Sequence, residues 1–334
     1  MTIAIASANS AVERLLVVAA HRPGTVHRLV RSETLAGGKG VNVARVLAAL
    51  GPDAGALGGG GERAVPPPLL FGLRGGATGR LFHDLLRAEG LRCDLADTAD
   101  ATRVNEVLVD RSAPDGATVY NAAGPTVTEA ELASLDEVFT RTLAEADALV
   151  CTGSIPPGMP DAQYARWIER ARARGAATVL DAHGPALAAG AAAAPDVVKV
   201  NRDELEAVPG GRGAAATVRA WLEGGVRCVV VTDGGGPFRV STRDAEFEVA
   251  PPRVPVRSAV GSGDAFCAGL VHSMLGAPGA GWPRHLRAAA ACGASNAASE
   301  TAGLSAGLPP RALLDQAGVR TRAPRTPRAG TARG

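Results

Sequence analysis

The stretch Val260-Gly261-Ser262-Gly263-Asp264-Ala265-Phe266, continued by Cys267-Ala268-Gly269-Leu270, sets a glycine turn directly before a run of small and apolar residues. Two glycines one residue apart allow a tight turn and let consecutive N–H groups approach a ligand with no Cβ between. Ala265 to Leu275 reads as helix, so those N–H groups would lie at a helix N-terminus, where the macrodipole favours negative charge. A carboxylate at Asp264 repels an anion held there, unless it serves to take a proton from the group that attacks the anion. Phosphoryl transfer needs that combination: donors for the charge on the transferring group and a base on the acceptor hydroxyl. Aspartate also suits an ordinary N-cap. The stretch by itself leaves both readings open.

Upstream, strands alternate with helices from Glu129 onward. A helix over Glu129–Ala144 leads to the strand Ala148–Thr152 and the loop Gly153-Ser154-Ile155-Pro156-Pro157-Gly158. A helix (Asp161–Arg174), the strand Thr178–Asp181, a short Ala-rich helix near Ala186–Ala194 and the strand Val197–Val200 follow. Asn201-Arg202-Asp203-Glu204 opens a further helix, Thr217–Glu223 is helical, and the apolar strand Cys228–Thr232 ends in Asp233-Gly234-Gly235-Gly236. Such alternation implies a mostly parallel sheet covered on both faces, with ligands beyond the carboxyl ends of the strands. Gly153-Ser154, Asp181, Asn201 and Gly234 all follow strand ends.

The N-terminal third contains the buried strand Thr2–Ala6 and two strand-like runs, Leu15–Ala20 and Val26–Arg31, joined by the turn His21-Arg22-Pro23-Gly24. Gly37-Gly38-Lys39-Gly40-Val41-Asn42 then starts a helix that ends at Gly51-Pro52. A Gly-rich helix start can hold phosphate or bring backbone against a sugar, although the P-loop spacing is absent. Residues 55–68 are a flexible Gly/Pro-rich loop by composition. A helix is expected from about Thr78 to Glu89. Thr102-Arg103-Val104-Asn105 opens a strand running to Val109, with Thr118–Asn121 as its hairpin partner. The tail 318–334, with five arginines among Pro, Thr and Gly, has too few apolar residues to fold and is expected to be disordered.

The bulk properties exclude several classes of function. With 46% apolar and 20% charged residues and a net charge of +2, the 334-residue chain is an ordinary globular protein that can bury a large core. Six Phe, three Trp and two Tyr are too few for stacking platforms, which argues against single-stranded nucleic acid. Five scattered cysteines suggest a reducing compartment and no zinc site. No apolar stretch approaches the roughly 20 residues needed to span a bilayer. A cytoplasmic protein is expected, without membrane or nucleic-acid partners.

Taken together, Ala36–Arg45, Thr102-Arg103-Val104-Asn105, Gly124-Pro125, Gly153–Gly158, Asn201–Glu204 and Gly261–Asp264 resemble the ribokinase-like (PfkB-type) carbohydrate kinases, over roughly residues 2 to 310. The similarity is greatest to the branch that contains 1-phosphofructokinase and tagatose-6-phosphate kinase. The resemblance implies a three-layer α/β/α sandwich over residues 1–317, with a mostly parallel central sheet. It also implies a small β-sheet lid, drawn from about 11–36 and 102–122 and often a dimer contact. It implies an ATP- and Mg²⁺-dependent phosphotransferase acting on a phosphorylated hexose or hexose-like polyol. Asp264 would be the base, and the N–H groups of Gly261, Ser262 and Gly263 would hold the transferring phosphoryl group. Glu13, Gly37, Gly38, Lys39, Asn42, Asn105 and Ser154 would form the sugar site, with Arg103 and Lys39 on the substrate phosphate. Lys199, Asn201, Glu204, Thr232, Gly234 and Asn296 would meet the nucleotide, with Asn201 and Glu204 organising Mg²⁺ mainly through water.

Each assignment has an alternative: Asn201 and Glu204 as a helix cap and its box partner, Arg103 as a surface arginine, Lys39 as a solvated helix start. A kinase of an unphosphorylated sugar or nucleoside, or a non-catalytic sugar-phosphate binder, remains open at this stage.

The catalytic residues match the family's pattern, but several other positions depart from it, those of the substrate set among them. Asn-Pro-Ala-x-Asp reads Asn9-Ser10-Ala11-Val12-Glu13, and the lysine two residues after Thr-Arg-x-Asn is replaced by Val107. Lys-Pro-Asn has become Lys199-Val200-Asn201, Pro237 replaces a glycine, and Ser258-Ala259 stands where a monovalent-cation site is usual. Glu13 lengthens the family's sugar-gripping aspartate by one methylene, and Val107 makes the pocket less cationic. An acceptor altered from fructose 1-phosphate or tagatose 6-phosphate is therefore expected, with an ordinary 1-phosphofructokinase as the alternative.

Overall fold

The computed structural model describes residues 2–57, 63–113, 117–210 and 213–322. Strand β1 (Thr2–Ser7) is buried on both faces: Ile3 and Ile5 point into one core cluster, Ala4 and Ala6 into the other. That period-2 split is the geometry of a central strand. The N-terminal half continues with β2 (Ala11–Val18), β3 (Arg31–Gly37), α1 (Lys39–Leu50), β4 (Pro68–Gly75), α2 (Gly76–Ala88), β5 (Cys93–Thr98), β6 (Arg103–Asp110) and β7 (Ala117–Tyr120). Next come α3 (Glu129–Leu143), β8 (Ala146–Thr152), α4 (Gln163–Ala173), β9 (Ala177–Asp181), α5 (Gly184–Ala192), β10 (Val197–Asn201), α6 (Arg202–Glu206) and α7 (Ala214–Glu223). The chain closes with β11 (Cys228–Thr232), β12 (Phe238–Thr242), β13 (Glu246–Ala250), α8 (Ser262–Gly276), α9 (Trp282–Ala297) and β14 (Gly318–Arg322).

Ten strands form the large sheet in the order β14-β13-β12-β11-β10-β9-β8-β1-β4-β5. From β5 to β11 the neighbours are parallel, and β12, β13 and β14 add an antiparallel extension. Helices α1, α8 and α9 cover one face around Val41, Phe266 and Leu286. Helices α3, α4 and α5 cover the other, where Phe71, Phe139, Tyr164 and Trp167 stack at centroid separations of 5.2–5.8 Å. A second sheet, β3-β2-β6-β7, stands apart as the lid. This α/β/α arrangement with a small separate sheet agrees with the fold the resemblance implied.

Some expectations are corrected. The run Val26–Arg31 is not a strand: Val26 is 98% exposed, and the partner of β2 is β3, in register Val12↔Ala36 and Leu16↔Ser32. Hydropathy misplaces it because a lid strand with one polar face needs only alternate apolar residues. The tail does not begin at 318, since Gly318–Arg322 pairs antiparallel with β13 at the sheet edge; residues 323–334 lie outside the described residues. Parts of the 55–68 loop are anchored. Leu57 and Val65 are buried in the core, the Val65 N–H donates to Pro52 at 3.0 Å, and Pro68 already belongs to β4. Residues 58–62 of that loop lie outside the described residues. No described helix is long and apolar enough to cross a membrane, and all five cysteines are free thiols.

Candidate active site

The carboxyl ends of β1, β8, β9 and β10 converge on the N-terminus of α8. Gly261 is left-handed at φ 81°, which turns the chain into α8 and leaves that helix without a side-chain cap. Asp264 is the third helical residue, not the cap. Its Oδ2 accepts from Asn42 Nδ2 on α1 at 2.8 Å, and the residue is 5% exposed. The structure thus decides against the N-cap alternative. Burial pushes the Asp264 carboxyl up to about 6, moderated by Lys39 and the Asn42 hydrogen bond and reinforced by Asp181. From behind, Asn296 brackets the turn: its Nδ2 donates to the Val260 carbonyl at 2.8 Å and to Ser262 Oγ at 3.0 Å, and its Oδ1 accepts from the Gly303 N–H at 2.8 Å.

Two lysines and one aspartate form the floor. Asp181, fully buried at the end of β9, accepts from Lys199 Nζ at 3.0 Å and from Lys39 Nζ at 3.2 Å. Burial alone would raise the Asp181 carboxyl, but the two ammonium groups hold it below the ordinary carboxylate range. Lys39 loses basicity to burial and regains more from Asp181, Asp264 and Glu204, so it stays protonated. Lys199 Nζ lies 2.7 Å from where a Cβ on residue 263 would be, so the ammonium lies against the anion turn. Asn201 and Glu204 make a reciprocal capping box at 2.7 and 3.0 Å, while Glu204 Oε1 approaches Lys39 Nζ at 3.5 Å. The cap-and-box alternative is therefore realised, with one Glu204 oxygen still directed at the lysine.

The lid supplies the opposite wall. Arg103 donates to the carbonyls of Ala122 and Asn9, both at 2.7 Å, while its Nε is buried without a partner. Among the described residues no carboxylate pairs with it, and burial lowers its basicity. Asn105 Oδ1 accepts from the Ala122 N–H at 3.1 Å, and Asn9 donates to Ser154 Oγ at 3.0 Å. Glu13 faces the same space with no hydrogen bond or ion pair among the described residues, its carboxyl raised by partial burial and moderated by Arg45.

Together these groups line a cavity of about 570 Å³. Glu13, Gly38, Lys39, Asn42, Arg103, Asn105, Ser154, Lys199, Asn201, Glu204, Gly261, Gly263 and Asp264 reach its wall. Gly37, Ser262, Thr232, Gly234 and Asn296 do not. Gly37 backs onto Glu13, whose Cβ lies 2.6 Å from where a Cβ on residue 37 would be, and Thr232 pairs in register with Asn201. Val107 is not on the wall either: it shares the lid face of Asn105 but packs with Leu15, Val17 and Val260. Asn9, quoted in its motif but given no role, and His183, which motif reading passed over, are also wall residues; the signal for His183 is only its position at a helix start.

Among the described residues no group of three or more His, Cys, Asp or Glu can hold a metal ion. The donors present, one Glu204 oxygen and Asn201, fit a Mg²⁺ held through water and the nucleotide rather than gripped by the protein.

A buried carboxylate on an uncapped helix start, an ammonium against that turn and an arginine without a carboxylate partner across the cavity thus meet in one place. The comparisons with known proteins give the family. The model of the pfkB family carbohydrate kinases matches residues 3–307. A 1-phosphofructokinase of Rhodobacter capsulatus is 36% identical over 283 residues, covering 82% of this chain and 84% of that protein. Another from Xanthomonas campestris is 33% identical over 276 residues, covering 80% and 82%. Phosphofructokinase-2 from Escherichia coli shares the fold with a TM-score of 0.78 at 24% identity, over 94% of this chain and 98% of that one. The chain belongs to the pfkB family of carbohydrate kinases and is a phosphotransferase that acts on a sugar hydroxyl.

Proposed function

We propose that the enzyme transfers the γ-phosphoryl group of ATP to a free hydroxyl of a hexose phosphate or hexose-like polyol phosphate. The observation that carries the phosphorylated acceptor is Arg103, a half-buried guanidinium on the cavity wall whose Nε has no partner and which no carboxylate neutralises. A phosphate dianion supplies both the charge and the acceptors it lacks. Asp264 takes the proton of the attacking hydroxyl. The anion turn and Lys199 face the transferring group, and Lys39, tethered to Asp181 and Glu204, spans the gap between donor and acceptor. Mg²⁺, when bound, neutralises charge on the nucleotide phosphates, with Glu204 and Asn201 positioned to hold its water shell.

The names of the relatives favour fructose 1-phosphate as acceptor. A second reading, an altered polyol or cyclitol phosphate, is favoured by Glu13, a half-buried carboxylate on the cavity wall that is one methylene longer than the aspartate usual there. Displacing that contact by about 1 Å can cost roughly a hundredfold in rate. An ADP-release assay over hexose and cyclitol phosphates, with their unphosphorylated parents and nucleosides, separates the readings. Preference for fructose 1-phosphate over all others removes the altered acceptor. Turnover confined to unphosphorylated compounds refutes the role of Arg103, and no turnover of any compound indicates a non-catalytic binder.

The exposed apolar residues of the lid, Val26, Leu29, Val30, Val119 and Tyr120, support a lid-to-lid homodimer. A sedimentation experiment on Tyr120→Asp tests it. ATP as donor also fits a cytoplasmic setting.

A further inference from the structure

At the opposite end of the sheet, some strand-length away from the reaction, lies a second cavity of about 420 Å³. It is bounded by the starts of β8 and β9, the stretch before β4, and the first turn of α9. Three guanidinium-bearing residues line it: Arg63, Arg174 and Arg227. Arg227 is paired with Asp196 at 3.1 Å, and Arg174 donates to the Ala144 carbonyl at 3.1 Å. Neither Arg63 nor Arg174 has a carboxylate within ion-pair distance among the described residues. Asp147 is the one carboxylate on the wall, and its Oδ2 is buried without any hydrogen-bond partner. The first turn of the sixteen-residue helix α9, which no side chain caps, brings Trp282 to the same space. His285 beside it is held neutral by burial and engaged by Ser273 Oγ at 2.9 Å.

We propose that this cavity is a second anion-binding site for a phosphate monoester that also carries a hydroxyl, a sugar phosphate or a nucleoside monophosphate. Arg63 and Arg174, exposed and without a carboxylate partner among the described residues, outnumber the one aspartate of the concave wall, and that excess of positive charge favours a dianion. The uncapped helix start adds to the same field. A hydroxyl of the ligand can donate to the half-buried Asp147 carboxylate on the same wall. Trp282 offers a flat apolar face for a ring. None of these residues serves the transfer reaction, so the inference stands whatever the acceptor. An occupant would touch the first turn of the helix whose last turn holds the anion turn through Asn296.

Calorimetric titration of the whole protein with AMP, ribose 5-phosphate and inorganic pyrophosphate tests this. The parent should show two classes of site for AMP. Arg63→Ala/Arg174→Ala should weaken one class at least tenfold, with KM for ATP and acceptor unchanged without added ligand. Arg103→Ala should leave that class intact. Tighter binding of AMP than of ribose 5-phosphate, lost in Trp282→Leu, assigns the ring to Trp282; equal binding assigns the sugar phosphate. Both arginine substitutions are at the surface and leave folding undisturbed. A single class of site, or two classes that both survive the double substitution, overturns the proposal, as does pyrophosphate binding as tightly as AMP and ribose 5-phosphate.

Discussion

Replacing Asp264 by asparagine removes the base and keeps the shape, because an amide oxygen at that position can still accept from Asn42 Nδ2, 2.8 Å from Asp264 Oδ2. A positioned general base contributes about 10²–10⁴-fold, so kcat should fall by that factor, about 3–5 kcal/mol of barrier. Nucleotide affinity should change little. In the parent, kcat/KM should decline below the value of about 6 to which burial pushes this carboxyl, since only the ionised form accepts the proton. The same burial carries a stability consequence. Asp264 binds its proton more tightly in the folded chain, at about 6, than at its ordinary 3.8. The native state is therefore unpenalised below about pH 3.8 and increasingly penalised as pH rises through about 6, by about 3 kcal/mol at most. That figure already includes the attraction of Lys39 and Lys199. Asp264→Asn should thus be nearly inactive yet melt ~2–5 °C higher at pH 7.5, a difference that vanishes toward pH 4. Calorimetry and steady-state kinetics on one preparation suffice. Parental turnover would refute the base, and a lowered melting point at pH 7.5 would refute the burial argument.

Arg103→Ala should cost on the order of 1.5–3 kcal/mol, roughly 10–150-fold in kcat/KM, for phosphorylated acceptors and little for their unphosphorylated parents; equal losses would move the acceptor to an unphosphorylated class. Asn296→Ala frees the Val260 carbonyl and the Gly303 N–H, and should lower stability by about 1–3 kcal/mol and kcat more than acceptor KM. Denaturant midpoints with kinetics check it, and an unchanged kcat removes its positioning role. Glu300 Oε2 meets Arg31 of the lid at 2.8 Å with both partners one-third exposed, so Glu300→Gln should loosen lid docking by about 0–1 kcal/mol. It should raise acceptor KM at low salt and leave kcat alone; a rise that persists at 0.5 M salt would contradict an electrostatic latch.

The parallel strands and the glycine turn that starts α8 were legible because both are local. A strand buried on both faces is a continuous apolar run, and an anion turn is a few adjacent residues. The antiparallel extension was not: β13, Glu246-Phe247-Glu248-Val249-Ala250, is half polar, and a sheet-edge strand such as β14 carries arginine and threonine with its burial supplied by a neighbour. Pairing was also out of reach. Asp181 could be read as a polar residue ending a strand, yet it binds lysines 142 and 18 positions away, a juxtaposition set by strand order. Val107 shows the same limit on the substrate side. Its identity suggests a less cationic pocket, but the lid register pairs it with Leu15, one step beyond the Glu13–Asn105 pair. There it fastens the lid to Val260 of the anion turn. A lysine at that position could bend back toward a ligand; a valine can only pack, so what the change removes in charge it returns as closure of the lid over the reacting groups.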